Sequence, residues 1–158
     1  MLQFDVKISD KDLYDYMMAH SYSGASGLLG SCVGALLVVT AFMNGHWIYL
    51  ICGAVLLLYL PINLKIKSKQ QALSNPAFQK PLHYLLDDNG ITISQGEESQ
   101  CQKWEDMYKA ISTNRSIIVY TSKVSATIFP RNQLNGEVVK VIEMICTHMP
   151  PKKVKIRF

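Results

Sequence analysis

Between Gly24 and Leu64 the sequence has no Asp, Glu, Lys or Arg, although the chain of 158 residues has 12 acidic and 16 basic residues. Its four cysteines form no CxxC pair, so neither a disulfide framework nor a zinc site is expected. GxSxG and glycine-rich phosphate-binding motifs are absent, and the basic residues follow no nucleic-acid-binding motif. These absences predict a protein that is not an enzyme, needs no cofactor or metal and binds no nucleic acid.

The uncharged window divides into two apolar spans, Gly24 to Met43 and His46 to Leu64. Each has about 20 residues, which is the length of helix that crosses a hydrocarbon core of about 30 Å. Only Asn44-Gly45 separates them, and so short a turn makes the two helices antiparallel neighbours. The sequence therefore predicts a two-pass transmembrane hairpin held in the lipid bilayer.

Basic residues near the ends of the spans predict the orientation of this hairpin. Lys65, Lys67 and Lys69 follow the second span and Lys7 and Lys11 precede the first, whereas the turn has neither Lys nor Arg. Loops rich in Lys and Arg remain on the cytoplasmic side. We therefore expect the turn to lie outside the cell and both termini to be cytoplasmic.

Small residues recur within the spans. Ser26, Gly30 and Gly34 are four residues apart in the first span, and Gly53 lies in the second. Such spacing lets helices approach closely. Packing within the hairpin is the favoured interpretation, and a homodimer through Gly30 and Gly34 is the alternative. Because the spans contain no Asp, Glu, Lys or Arg, a transporter or channel is not expected.

The remaining segments are predicted to be a cytoplasmic leader (1–23), a polar connector (65–81) and a C-terminal domain (82–158). In the leader, Phe4 to Ser9 alternates like a strand, and Ser9 with Asp12 forms a variant of the capping box that begins an interfacial helix.

The C-terminal domain has the pattern of six short strands and one helix. Its first two strands flank Asn89-Gly90, a strong hairpin signal. The helix follows, with apolar residues at Val138, Val141, Ile142 and Ile145. The predicted fold class is an α+β membrane protein, with a transmembrane hairpin followed by an antiparallel sheet or partial barrel that the C-terminal helix closes. This element order is that of a pleckstrin-homology-like (PH-like) domain.

Residues 83–134 resemble the YcxB-like family of bacterial membrane proteins. The motifs that carry the resemblance are Tyr84, Gly90-Ile91, Trp104 and Pro130-Arg131, with Asn132 where a second basic residue is usual. The resemblance implies a PH-like fold and a location in the bacterial plasma membrane. It implies no established activity.

Basic residues at predicted turns and in the tail are the candidate contact sites for anionic lipid or a protein partner: Arg115, Lys123, Arg131, Lys152, Lys153, Lys155 and Arg157. Alternatively, the tail forms a last strand that pairs with the leader strand. The expected function is a noncatalytic, regulatory or sensory module that binds an unidentified protein partner at the inner membrane face. An immunity protein against a toxin or bacteriocin and an anionic-lipid-binding module are the alternatives.

Overall fold

The computed structural model describes residues 1–157, with the side chains at positions 25 and 26 outside that description. Within this range the helices and strands are β1 (Leu2–Val6), α1 (Asp10–Ser23), α2 (Ala25–Asn44), α3 (Trp47–Ser74), α4 (Pro76–Gln79), β2 (Leu82–Leu86), β3 (Gly90–Gln95), β4 (Glu98–Lys103), β5 (Lys109–Ser112), β6 (Ser116–Tyr120), β7 (Ala126–Pro130), α5 (Val138–His148) and β8 (Val154–Lys155). Short 3-10 turns follow β4, β7 and α5.

The strands of residues 1–157 form two four-stranded sheets, which we call sheet A (β1-β2-β3-β4) and sheet B (β7-β6-β5-β8). All neighbouring strands are antiparallel except β5 and β8, which are parallel. The predicted α+β class with antiparallel sheets is therefore confirmed. In the described part of the chain the two sheets do not close into one barrel. The prediction of a partial barrel was therefore more specific than the structure supports.

The tail forms a short last strand, but the leader and the tail belong to different sheets, so the alternative in which they pair is wrong. Phe4 and Val6 are buried, and Phe4 lies opposite Tyr84 of β2, with 6.0 Å between the ring centroids. The tail strand β8 instead lies beside β5, where Val154 pairs with Ala110. Burial of the leader's apolar face against β2 and Phe129 accounts for its place in sheet A, whereas Val154 and Ile156 of the tail pack against the core from the side of sheet B.

The chain segment that joins β1 to β2 contains all four helices α1 to α4. The apolar hairpin is therefore an insertion between two neighbouring strands of sheet A. It is not a separate unit placed ahead of the sheets, because the strand that precedes it completes the first sheet.

Helix α1 begins at the predicted capping box. The hydroxyl of Ser9 accepts a hydrogen bond from the backbone N–H of Asp12, and the Asp12 carboxylate accepts one from the N–H of Ser9. The helix then packs between α3 and sheet B, where the Tyr16 hydroxyl donates to the carbonyl of Val124 over 2.8 Å. Helix α1 thus joins the base of the apolar hairpin to the sheets.

Helices α2 and α3 are long and apolar enough to cross a membrane, with a mean hydropathy of 1.8 over Gly27–Asn44 and of 2.0 over an 18-residue window within Trp47–Ser74. Gly45 ends α2 in the left-handed region, at φ 70°, which glycine adopts without strain. Helix α3 continues through residues 65–74, where a polar connector was expected. Lys, Gln and Ala in this stretch are good helix formers, and the helix ends at Asn75, immediately before Pro76.

The core lies between the sheets and α5. Val141, Ile142 and Ile145 of α5 are fully buried against residues from both sheets. The predicted amphipathic helix is therefore the element that covers the core.

Two buried tyrosines make the stability sensitive to alkaline pH. Burial raises the pKa of Tyr84, and burial together with nearby Tyr16 raises the pKa of Tyr120 from 10.0 to about 12. Because ionisation is disfavoured in the folded state, their contribution to stability is complete below about pH 10 and is lost as the pH rises through 12. We expect denaturant unfolding to require less denaturant at about pH 11.5 than at about pH 9.

The control for this pH dependence is Tyr120→Phe. The Tyr120 hydroxyl is buried and has no hydrogen-bond partner among the described residues, so the substitution removes the titrating group without breaking a bond. The variant should lose less stability between the two pH values than the parent protein. An equal loss in both proteins would contradict the role of Tyr120.

Candidate interaction surfaces

The outer edge of β4 is a free sheet edge in the part of the chain that the structure describes. Strand β4 pairs with β3 on one side, and no described strand pairs with its other side. Its six residues, Glu98 to Lys103, are exposed except for the partly exposed Gln102. Unlike the other strands of sheet A, it contributes no residue to the buried core. Strand β4 therefore extends beyond the core with its backbone accessible.

The register of the β3–β4 hairpin shows which backbone groups face this edge. Gln95 pairs with Glu98 across a two-residue turn, and the N–H of Trp104 donates to the carbonyl of Asn89. Because hydrogen-bonding directions alternate along an antiparallel strand, every second residue of β4 points its N–H and C=O away from β3. These outward-facing residues are Ser99, Cys101 and Lys103.

Protective features are sparse along this edge. Natural edge strands are commonly blocked by proline, bulges or several charged residues. The β4 ladder runs without a bulge, and Glu98 and Lys103 place its two charges at its ends. Its middle, Ser99 to Gln102, is neutral and free of proline. The sequence shows that β4 is polar, but only the strand order of the structure shows that it lies at the edge of sheet A.

Three of the predicted basic contact residues meet at one end of sheet B. The N–H of Arg131 donates to the carbonyl of Arg115 over 2.8 Å, and the Arg131 guanidinium donates to the carbonyl of Arg157 over 2.9 Å. The turns that follow β5 and β7 therefore bring together residues from three distant parts of the chain.

The other predicted basic residues lie apart from this end. Lys123 is in the β6–β7 turn, and Lys155 pairs with Ile111 in β8. Lys152 and Lys153 lie in the 3-10 turn before β8, and the Lys153 ammonium donates to the carbonyl of Met107 over 2.8 Å. The seven basic residues therefore do not form one continuous patch.

A charged cleft that the sequence did not predict lies between α1, α3 and the β5–β6 turn. Its volume is about 320 Å³, and Lys11, Lys65 and Arg115 contribute the basic side chains of its lining. Asp15, another lining residue, accepts a hydrogen bond from the Thr113 hydroxyl over 2.5 Å. These residues come from sequence positions too far apart for a motif to reveal them.

The small residues of the hairpin have different surroundings. Gly34 and Gly53 are buried at the crossing of α2 and α3, and a Cβ added to Gly53 would lie 2.8 Å from the carbonyl oxygen of Gly34. Gly30 is exposed, and nothing lies within 4 Å of a Cβ added there. Ser26 was grouped with these glycines, but its side chain lies outside the described residues. The close helix contact is thus intramolecular at Gly34 and Gly53.

Two histidines have acidic neighbours that the sequence did not indicate. His148 lies 3.4 Å from Asp88. His83 lies 2.7 Å from Asp5 on the neighbouring strand, and its other neighbour in register is Ser94. Asp5, His83 and Ser94 are the residue types of a hydrolase triad, but the described structure includes no hydrogen bond between Ser94 and His83. These three residues lie on the face of sheet A, where the backbone N–H groups of the inner strands β2 and β3 are used in the ladder and cannot stabilise an oxyanion. Nor do residues 1–157 contain a cluster of His, Cys, Asp or Glu that could hold a metal.

Comparison with known proteins identifies one related family. No curated protein and no solved structure matches the chain. A family model described as YcxB-like protein matches residues 86–145, which extend from the end of β2 into α5. The chain therefore carries a YcxB-like region at residues 86–145, and the family resemblance predicted from its sequence is confirmed.

Proposed function

We propose that the chain is a noncatalytic, membrane-anchored PH-like module that binds a protein partner at the inner face of the bacterial plasma membrane, in a regulatory or sensory role. The observation that carries this proposal is the free edge of β4, whose outward backbone groups are available to another polypeptide. The expected partner segment is an extended peptide that adds a fifth strand to sheet A.

The exposure of the apolar helices supports the membrane anchor. Only 17% of the apolar window in α2 and 6% of that in α3 are buried against the rest of the described protein. Phe42 and Trp47, on either side of the turn, are 79% and 71% exposed. A core helix of a soluble protein would be mostly buried, so the exposure of these two windows supports a lipid environment around them. The lysines after residue 64 support an inner location for the sheets and both termini.

The order of the strands supports the PH-like fold. Strands β1 to β4 form the first sheet, β5 to β7 form most of the second, and α5 covers the core between them. The short β8 is an addition to this pattern at the edge of sheet B. Since α1 packs against both α3 and sheet B, the module stays close to the membrane surface while β4 remains open.

The experiment that tests partner binding uses the native Cys101 as a crosslinking position. Cys32, Cys52 and Cys146 are replaced by serine, and a photoactivatable maleimide is attached to Cys101 in native membranes. We expect a discrete crosslinked product with a second polypeptide. Ser99→Pro should abolish it, because proline removes an outward N–H while leaving the bonds between β3 and β4 in place. Ser99→Thr, which keeps the N–H, should retain it.

Cys146 provides the matched control position, because it is exposed on α5, away from β4. A protein that retains only Cys146 should not give the same product. A crosslink from Cys101 to a second copy of the chain alone, or equal products from Ser99→Pro and Ser99→Thr, would overturn the proposed mode of partner binding.

A further inference from the structure

The charged cleft between α1, α3 and the β5–β6 turn has unpaired cations around an open space. Lys11, Lys65 and Arg115 line it, and none of their side chains forms a hydrogen bond or ion pair with another described residue. Asp15, one of two carboxylates in the lining, accepts a hydrogen bond from Thr113. Cations normally pair with a carboxylate that lies within reach. Since these three have no such partner, they are available to an anion that binds between them.

Apolar side chains complete the lining of the same cleft. Tyr14 and Met18 of α1 are partly buried there, and Ser68 of α3 is buried with its hydroxyl donating to the carbonyl of Lys65. The cleft therefore offers both positive charge and apolar surface. A ligand that combines a phosphate with an apolar body fits this combination better than a free inorganic ion does.

The position of the cleft along α3 matches the headgroup layer of a bilayer. Lys65 is the first residue after the uncharged run that ends at Leu64. With a rise of about 1.5 Å per residue, Lys65 and Ser68 lie about 2 to 6 Å beyond the hydrocarbon core. The headgroup layer on each side of a membrane is about 5 to 7 Å thick. The cleft is thus at the depth of lipid phosphates if α3 crosses the membrane.

A second, apolar groove lies along α3 on the side of the cleft toward the turn, and all its lining residues belong to α3. It has a volume of about 590 Å³ and is lined by residues between Ile51 and Ile66, including Leu58 and Ile62. Leu58 precedes Lys65 by seven residues, which is about two helical turns, so both lie on nearly the same side of α3. A molecule with its phosphate at Lys65 could therefore extend an acyl chain along this groove.

We propose that this cleft is a binding site for an anionic glycerophospholipid. Its phosphate lies between Lys11, Lys65 and Arg115, and one acyl chain follows the groove past Leu58. The inference rests on the proposed membrane anchoring but not on the protein partner, because the cleft and β4 are separate surfaces formed by different residues.

The test uses the full chain reconstituted in phosphatidylcholine vesicles that contain a small fraction of phosphatidylglycerol with a photoactivatable acyl chain. The variant Lys65→Gln/Arg115→Gln should lower the labelling yield on the order of 10-fold, since each basic residue near the surface contributes to lipid attraction. Labelled peptides from the parent protein should map to residues 51–66 of α3. The control Lys80→Gln/Lys140→Gln removes the same net charge at exposed positions outside the cleft and should keep the parent yield.

Two further arms separate the lipid from other phosphates and from failure of the anchor. Unlabelled phosphatidylglycerol should displace the probe, whereas soluble glycerol phosphate should not; displacement by both would overturn the lipid assignment. Flotation of the protein with the vesicles after an alkaline wash reports anchoring independently. If both double variants float and label equally, the cleft inference is wrong while the anchor stands. If the parent protein does not float, the proposed anchoring itself is wrong.

Discussion

Replacement of Trp104 by alanine is expected to lower the free energy of unfolding by about 3 to 5 kcal/mol. Trp104 is only 3% exposed, its indole N–H donates to the carbonyl of Asp87 over 2.8 Å, and its ring stacks on His148 of α5. The substitution therefore leaves a large cavity between sheet A and α5 and an unpaired, partly buried carbonyl. Denaturant unfolding of the detergent-solubilised protein, followed by circular dichroism, measures the loss.

The control for this substitution is Trp104→Phe. Phenylalanine keeps most of the ring packing against His148 but cannot donate to Asp87, so the expected loss is smaller, about 1 to 3 kcal/mol. If the two variants unfold at the same denaturant concentration, packing of the indole ring is not the main contribution of Trp104 to the free energy of unfolding. Because Trp104 is buried, a ligand-binding role for its ring is not expected.

Replacement of Gly53 by leucine is expected to separate α2 from α3. A Cβ at this position would lie 2.8 Å from the carbonyl oxygen of Gly34 and 3.0 Å from the backbone nitrogen of Val38, and neither backbone can yield without moving its helix. Overpacking of this kind costs about 1 to 3 kcal/mol, and loss of the close helix contact adds to it. The temperature at which the protein loses monodispersity in detergent should fall clearly.

Gly30→Leu is the matched control because it makes the same chemical change in an open environment. We expect its thermal stability to remain close to that of the parent protein. A large loss of stability at Gly30 together with tolerance at Gly53 would contradict the described helix crossing. Loss of a dimer on Gly30→Leu would instead support the homodimer alternative.

Local sequence patterns predicted most individual elements but not their partners. The hairpin between β2 and β3, the Ser9–Asp12 capping box and the apolar face of α5 each depend on residues within a few positions of one another. Such short-range chemistry can be read directly from the sequence. The same holds for the Asn44-Gly45 turn, where Gly45 supplies the left-handed backbone. The predicted Asn89-Gly90 turn was wrong in detail, because Gly90 is the first residue of β3 and pairs with Lys103.

Long-range pairings could not be predicted, because competing partners differ by little in their local pattern. The leader strand alternates as predicted, but its neighbour is β2 and not the tail, and Phe4 packs there against Tyr84 and Phe129. Likewise, the sequence indicates only that Lys65 follows a membrane span and that Arg115 lies at a predicted turn. Only packing of α1 against α3 and sheet B brings them into one cleft.

The insertion of the helices between β1 and β2 has a consequence for biosynthesis. Leu2 leaves the ribosome long before its partner Leu86, and the whole apolar hairpin is translated between them. Closing a flexible loop of that length carries an entropic cost, which antiparallel helices reduce by bringing the ends of the intervening chain together. Sheet A is therefore expected to assemble after the hairpin, so that maturation of the β4 edge follows assembly of the helices.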